Sequence, residues 1–142
     1  MHGLLDILLV EDNEGDVEMT RRALRTATPE CRVTVANNGD QALKVLHEQA
    51  EDASKKTPQL ILLDINMPRM DGKTFLSKIK DDNHFKAIPV VMFTSSESPV
   101  DIRECYERHA ACYVVKPFDG VQYANALRDV VKFWGELGEL PN

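Results

Sequence analysis

The sequence has few of the features that mark secreted or membrane-spanning proteins. Its 142 residues include only three cysteines, an odd number without a Cys-x-x-Cys spacing. No apolar run approaches the roughly 20 residues of a membrane-spanning helix, and no basic segment precedes the first apolar run, as a signal peptide would require. We therefore expect reduced structural thiols, a cytoplasmic location and no membrane partner.

An excess of basic residues is also missing. The chain has 17 Lys and Arg against 23 Asp and Glu, which gives a formal net charge of −6. This balance is ordinary for a soluble protein and argues against nonspecific binding of nucleic acid. The length suits one domain with its own core. We expect residues 1–142 to be a single domain, with its core at about 5–137 and no output domain.

Five apolar segments alternate with five amphipathic ones. The apolar segments predict strands at 6–10, 32–36, 60–63, 89–93 and 111–115, and the amphipathic segments predict helices at 14–27, 42–49, 73–81, 100–109 and 120–137. This alternation predicts a doubly wound parallel sheet with helices on both faces. The polar segment 48–58 is predicted to be a frayed helix end and a surface loop, and its role stays open.

Asp64 stands directly after the apolar strand 60–63. Pro68 blocks continuation as a central strand, and Asp71-Gly72 is a turn signal. A carboxylate at the exit of a buried strand lies where ligands bind in open α/β sheets. A lone aspartate at this position could equally cap a turn.

Polar side chains follow other predicted strands too: Glu11 and Asp12, then Thr94, then Lys116. Because the carboxyl ends of parallel strands share one edge, we expect these side chains to converge with Asp64. Two carboxylates about 4 Å apart repel by roughly 4 kcal/mol at an effective dielectric constant of 20, so the cluster needs cations. Oxygen ligands suit Mg²⁺ or Mn²⁺ better than zinc. Asp12 or Asn13 could instead cap the next helix, and capping and metal binding can share this loop.

Together these motifs resemble the receiver domain of two-component response regulators. The resemblance covers nearly the whole chain and implies a flavodoxin-like sheet of five strands in the order 2-1-3-4-5. The motifs in chain order are the acidic pair Glu11-Asp12, Asp64 with Met67-Pro68 and Asp71-Gly72, Thr94, and Lys116-Pro117.

The resemblance implies a phosphorylation site. Asp64 would accept a phosphoryl group from a phosphohistidine on a sensor histidine kinase and form an acyl phosphate. Asp12 and Asp64 would bind Mg²⁺ directly, Glu11 through water and Asn66 through its backbone carbonyl. The metal and Lys116 would neutralise the charge of the transferring group.

A conformational switch follows from the same resemblance. Thr94 would donate a hydrogen bond to the phosphate, and Tyr113 would turn inward as Thr94 moves. The Lys116–Pro117 peptide bond is expected to be cis. The protein would catalyse its own phosphorylation and dephosphorylation, yet act as a signalling protein rather than an enzyme.

The C-terminal residues Phe133-Trp134 and Leu140-Pro141, with the segment 48–58, resemble the small stand-alone response regulators paired with bacterial phytochrome kinases. The start of the first helix, including Thr20, and the loop Pro117-Phe118 are expected to border the surface that receives the kinase.

Three other functions are compatible with parts of this pattern. A phosphatase of the haloacid-dehalogenase class needs a second Asp two residues after its nucleophile, and Asn66 stands there. In a flavodoxin, Glu11-Asp12 would repel the phosphate of the flavin. A protein-interaction module that works without phosphorylation would have no need of the acids, Thr94 and Lys116 that this chain retains.

The last predicted helix carries two apolar stripes at spacings of three, four and seven. One comprises Ala124, Leu127, Val131 and Trp134, and the other comprises Tyr123, Val130, Phe133 and Leu137. One stripe should face the sheet. The second predicts a homodimer through the fourth helix, fifth strand and fifth helix, unless both stripes form one wide core face.

Overall fold

Five parallel strands form one sheet in the computed structural model, which describes residues 4–141. The strand order is β2-β1-β3-β4-β5, so the predicted fold and strand order are confirmed. Neighbouring strands pair in register, for example Val10 with Leu63 and Thr94 with Val115. The strands are β1 (Leu5–Val10), β2 (Cys31–Ala36), β3 (Leu60–Leu63), β4 (Val90–Thr94) and β5 (Cys112–Val115).

A helix follows every strand, and each helix begins with a side-chain cap. These caps satisfy backbone N–H groups that have no partner within the helix. The capping residues are Asn13, Asn38, Asp71, Ser98 and Asp119. The helices are α1 (Glu14–Arg25), α2 (Gly39–Glu51), α3 (Gly72–Asp81), α4 (Pro99–Glu107) and α5 (Gly120–Lys132), and α5 continues as a π-helical segment at Phe133–Leu137.

Alternate residues of the strands supply two apolar layers. Leu8 and Val10 of β1 pack on the face covered by α2, α3 and α4, whereas Ile7 and Leu9 pack on the face covered by α1 and α5. Strands β3 and β4 are buried along their whole lengths, as continuous apolar runs predict. The sheet is thus covered by helices on both faces, and the ends of its strands position the loops that follow them.

Some boundaries differ from those predicted. Helix α2 begins at Gly39 because Asn38 caps it, and α1 ends at Arg25, four residues before Pro29. The expectation of a cis Lys116–Pro117 bond is wrong: within residues 4–141 the cis peptide bond is Thr28–Pro29. The trans form at Lys116–Pro117 follows the ordinary preference of X-Pro bonds. None of the helices within residues 4–141 combines the length and apolar character needed to cross a membrane.

Candidate functional site

The carboxyl ends of four strands bring the predicted polar side chains together at one edge of the sheet. Glu11 and Asp12 follow β1, Asp64 follows β3, Thr94 ends β4 and Lys116 follows β5. The backbone ladder continues into these positions. The N–H of Asp64 donates to the carbonyl of Val10 (3.0 Å), and the N–H of Lys116 donates to the carbonyl of Thr94 (2.8 Å). The sheet therefore fixes the backbone positions of Asp64 and Lys116, from which their side chains extend.

Three carboxylates form the acidic cluster, which we define as Glu11, Asp12 and Asp64. One oxygen of each lies within 4.8 Å of the others, close enough to hold one cation. Glu11 (2 % exposed) and Asp64 (8 % exposed) are buried, whereas Asp12 is open to solvent. Asn13 caps α1, accepting from the N–H of Asp16, so Asp12 is not required as the cap. The donor set of hard oxygens fits a divalent cation such as Mg²⁺ or Mn²⁺.

Lys116 supplies the positive charge at the centre of the site. Its Nζ lies 2.5 Å from Glu11 Oε1, 2.7 Å from Asp16 Oδ2 and 3.4 Å from Asp64 Oδ2. Burial alone would lower the pKa of Lys116, but the hydrogen bonds to Asp16 and Glu11 outweigh it and raise that pKa. Lys116 therefore stays charged and partly offsets the repulsion among the acids.

Glu11 is the carboxylate most perturbed by its surroundings. Burial, with a smaller contribution from the charge of Asp64, raises its pKa to about 7 against the opposing hydrogen bond from Lys116. Its second oxygen, Oε2, accepts from the N–H of Asn13 at 3.1 Å. Glu11 is thus held in place by partners at both of its oxygens.

The carboxylate of Asp64 is oriented by its own backbone and by α3. Asp64 Oδ1 accepts from the N–H of Ile65 at 2.8 Å, which leaves Oδ2 on the side of Lys116. The N–H of Gly72 donates to the carbonyl of Ile65 at 2.8 Å. A Cβ at Gly72 would lie 2.0 Å from the carbonyl oxygen of Asp64, so only glycine allows this approach of α3 to the site.

Thr94 and Tyr113 are linked through Ser96 in the loop after β4. Thr94 is fully buried, and its Oγ1 accepts from the N–H of Ser96 at 3.4 Å. The hydroxyl of Tyr113 donates to the carbonyl oxygen of Ser96 at 2.9 Å. The ring of Tyr113 packs against the apolar layer beneath α2, α3 and α4, so it points inward.

Comparison with known proteins identifies the family to which this chain belongs. The family model of the response regulator receiver domain matches residues 7–128. The chain belongs to the response regulator receiver family. Its match to response regulator Rcp1 of Synechocystis sp. is 35% identical over 135 residues, covering 95% of this chain and 92% of Rcp1. The phosphatase and interaction-module alternatives are not favoured.

Two solved receivers share nearly the whole fold. The phosphorylated cyanobacterial phytochrome response regulator RcpA is 34% identical and superposes with a TM-score of 0.90, covering 100% of both chains. The Mn²⁺-bound form of Rcp1 is 34% identical with a TM-score of 0.88, covering 97% of this chain and 99% of Rcp1. The proteins that this chain resembles in both sequence and shape therefore include a phytochrome response regulator.

The receiver also contains functional contacts that sequence reasoning missed. Asp16 lies in the first turn of α1 and is a direct partner of Lys116. Its place in the first turn of the helix that follows the acidic pair is the signal that could have identified it. Ser96, which joins Thr94 to Tyr113, was missed as well. Asn66 is exposed beside the acidic cluster, and its role as a carbonyl ligand stays a prediction.

Two predicted surface residues lie in the core instead. Tyr123 is 2 % exposed, packs edge-to-face on Phe93, and cannot belong to a dimer interface. Thr20 is equally buried, and its hydroxyl is 3.1 Å from that of Tyr123, so it cannot contact a kinase. Of the remaining predicted interface residues, Phe133 and Leu137 are exposed and Val130 is half-buried.

Proposed function

We propose that Asp64 accepts a phosphoryl group from the phosphohistidine of a sensor histidine kinase. An oxygen of the Asp64 carboxylate attacks phosphorus, the P–N bond breaks, and the imidazole leaves with the bonding electron pair and takes up a proton. The product is an aspartyl phosphate. Hydrolysis of the acyl phosphate by water returns the carboxylate and releases inorganic phosphate.

The position of Asp64 within the cluster is the observation that carries this proposal. Both Glu11 and Asp64 are buried and contact Lys116, but Nζ lies 2.5 Å from Glu11 Oε1 and 3.4 Å from Asp64 Oδ2, so Asp64 Oδ2 is the less engaged oxygen. Glu11 has both of its oxygens engaged, and Asp12 lies outside the reach of Lys116's hydrogen bonds among the described residues. Lys116 is placed to neutralise charge that develops on phosphoryl oxygens during transfer.

A divalent cation, Mg²⁺ with Mn²⁺ as a substitute, fits the acidic cluster. Asp12 and Asp64 would hold it directly, Glu11 through water and Asn66 through its backbone carbonyl. When bound, such an ion neutralises phosphate charge and orients the phosphoryl donor. The clustered carboxylates support this assignment, and so does the similarity to Rcp1, whose structure was solved with Mn²⁺.

Signalling then follows from a change of shape. Thr94 would donate its hydroxyl to a phosphoryl oxygen on Asp64, which alters the contact between Thr94 Oγ1 and Ser96. Because Ser96 also accepts from Tyr113, a movement of this loop would reach the surface of β5. The protein would promote its own phosphorylation and dephosphorylation, and its output would be binding to other proteins.

The kinase partner is proposed to be a bacterial phytochrome or a close counterpart, supported by the similarity to RcpA and Rcp1. Phe118 is fully exposed and Val121 is 70 % exposed, beside Lys116 at the start of α5. With the first turn of α1, these apolar side chains would form the docking surface.

The free thiols of Cys31, Cys105 and Cys112 support a cytoplasmic location.

A homodimer through α4, β5 and α5 completes the proposal. Phe133 (49 % exposed) and Leu137 (76 % exposed) leave apolar surface uncovered at the C-terminal end of α5 and in the π-helical segment. Val130 lies one turn earlier on the same helix. On α4, Val100 and Tyr106 are also exposed. Pairing of two copies would remove this apolar surface from water.

The function is tested by incubating the protein with acetyl phosphate and measuring its intact mass. We expect the gain of one phosphoryl group with Mg²⁺ and none with EDTA. Asp64→Asn should abolish the gain, whereas Asp129→Asn, an exposed aspartate on α5, should leave it unchanged. Equal labelling of wild type and Asp64→Asn would reject Asp64 as the acceptor.

A further inference from the structure

A second polar network lies outside the acidic cluster and joins α3 to α4. Lys73, in the first turn of α3, places its Nζ 2.5 Å from Asp101 Oδ1 and 2.7 Å from Glu104 Oε1, both on α4. The Lys73 side chain is only 16% exposed. The hydrogen bonds that Lys73 donates to Asp101 and Glu104 raise the pKa of Lys73, and the hydrogen bond from Lys73 lowers the pKa of Asp101. All three groups therefore carry charge at neutral pH.

Asp101 extends this network into the loop after β4. Its second oxygen, Oδ2, accepts from the hydroxyl of Ser96 at 2.5 Å. The N–H of Ser96 points to Thr94 Oγ1, and its carbonyl oxygen accepts from the Tyr113 hydroxyl. Every polar group of Ser96 is thus engaged, and Ser96 is the point where the proposed switch residues meet the ion pair.

Lys73 is placed to influence this loop, although its hydrogen bonds within the described part of the chain go to Asp101 and Glu104 and not to Thr94 or Tyr113. The loop Ser95–Ser98 is otherwise held by weaker local contacts, such as the N–H of Ser98 to Ser96 Oγ at 3.3 Å. A hydrogen bond to a charged carboxylate is roughly twice as strong as one between neutral groups. Lys73 fixes the rotamer of Asp101, Asp101 fixes the hydroxyl of Ser96, and the Ser96 carbonyl is thereby held in reach of Tyr113.

We propose that Lys73 is a positioning residue for the switch, which through Asp101 and Ser96 stabilises the inward orientation of Tyr113. Without this ion pair, the loop gains freedom and the population of Tyr113 shifts outward. The inference rests on the proposed function for the meaning of the Tyr113 movement. The contacts that join Lys73 to Tyr113 through Asp101 and Ser96 are observed whatever that function is.

The test follows the Tyr113 ring by NMR of protein labelled with ¹³C-tyrosine, without any phosphoryl donor. The chain has three tyrosines, so Tyr113→Phe assigns the resonance. Lys73→Met and Ser96→Ala should shift the Tyr113 resonance in the same direction. The double variant should shift it no further than the larger single effect, because both changes break one chain of contacts.

Two controls separate positioning from a general loss of stability. Lys78→Met removes an exposed lysine from the same helix that has no ion pair with any described residue, and it should leave Tyr113 unchanged. The resonance of Tyr123, on the other face of the sheet, should stay in place in all variants. Ser96→Ala removes a single hydroxyl and keeps the test valid if Lys73→Met folds poorly.

If the Tyr113 resonance is unchanged in both Lys73→Met and Ser96→Ala, the proposal is wrong. The ion pair would then only connect α3 to α4. Shifts that add in the double variant would also overturn the proposal. A Tyr113 shift in a protein whose Asp64 does not become labelled by acetyl phosphate would reject the proposed function and retain the network.

Discussion

Gly72→Ala is expected to damage the site without changing any polar group. The added Cβ would lie 2.0 Å from the carbonyl oxygen of Asp64 and 2.8 Å from the Cα of Ile65, where real Cβ contacts are essentially never under 3.0 Å. Both contacts are backbone, so no side chain can rotate away. The start of α3 and the backbone of Asp64 must separate by about 1 Å, an overpacking strain that typically costs about 1–3 kcal/mol.

The displacement should slow phosphorylation by more than the loss of stability explains. A misplacement of about 1 Å can lower the rate of a positioned reaction by about 10²-fold. The initial rate of labelling by acetyl phosphate, measured by intact mass at a temperature where the variant is folded, reports this effect. Urea denaturation measures the free energy of unfolding of the same sample.

Gly120→Ala is the matched control. Gly120 is the first residue of α5 after its cap Asp119, as Gly72 is the first residue of α3 after Asp71. A Cβ at Gly120 meets nothing within 4 Å. This substitution should stabilise the protein by about 0.4–1 kcal/mol and leave the labelling rate unchanged. If the two variants label at the same rate, close packing of α3 against Asp64 is not what orients the carboxylate.

Three further predictions concern the metal, the kinase and the dimer. Asp12→Asn relieves repulsion within the acidic cluster, so it should raise the melting temperature of the metal-free protein. It should also reduce the increase in melting temperature that millimolar Mg²⁺ produces. An equal increase in wild type and variant would exclude Asp12 as a ligand. Phe118→Ser should slow phosphotransfer from a cognate kinase and leave labelling by acetyl phosphate unchanged, and an equal loss in both assays would argue against a docking role. Phe133→Glu should convert a dimer to a monomer, as measured by light scattering, while Asp64 is still labelled. A wild type that stays monomeric with and without phosphorylation would contradict the proposed dimer.

The sheet and the acidic cluster were predictable from sequence because each rests on a local pattern. Continuous apolar runs identify buried strands, and parallel strands must bring their carboxyl ends to one edge. Asp64 and Lys116 therefore lie close together, and this proximity does not depend on the conformations of the loops. The sequence does not distinguish Asp12 from Asn13 as the cap of α1, because either side chain can reach the first turn, and in the structure Asn13 is the cap.

Apart from the Lys116–Pro117 bond, the errors concern the rotation of helices about their axes. Tyr123 belongs to one of two apolar stripes on α5, and spacing alone does not show which stripe faces the sheet. In the structure Tyr123 faces the core together with Leu127 and Val131. Its hydroxyl forms a hydrogen bond with that of Thr20, so the buried hydroxyl of Tyr123 has a partner. Asp16 was missed for the same reason, because its approach to Lys116 depends on how α1 sits against the sheet edge.

Chemical trapping of the acyl phosphate tests the central claim most directly. Borohydride reduces an aspartyl phosphate to homoserine, and peptide mass spectrometry then locates the modified residue. After incubation with Mg²⁺ and acetyl phosphate, we predict homoserine at position 64, with Asp12 and the other aspartates intact. Homoserine at position 12, or a phosphoryl group that resists borohydride, would contradict the assignment of Asp64 as the phosphoacceptor.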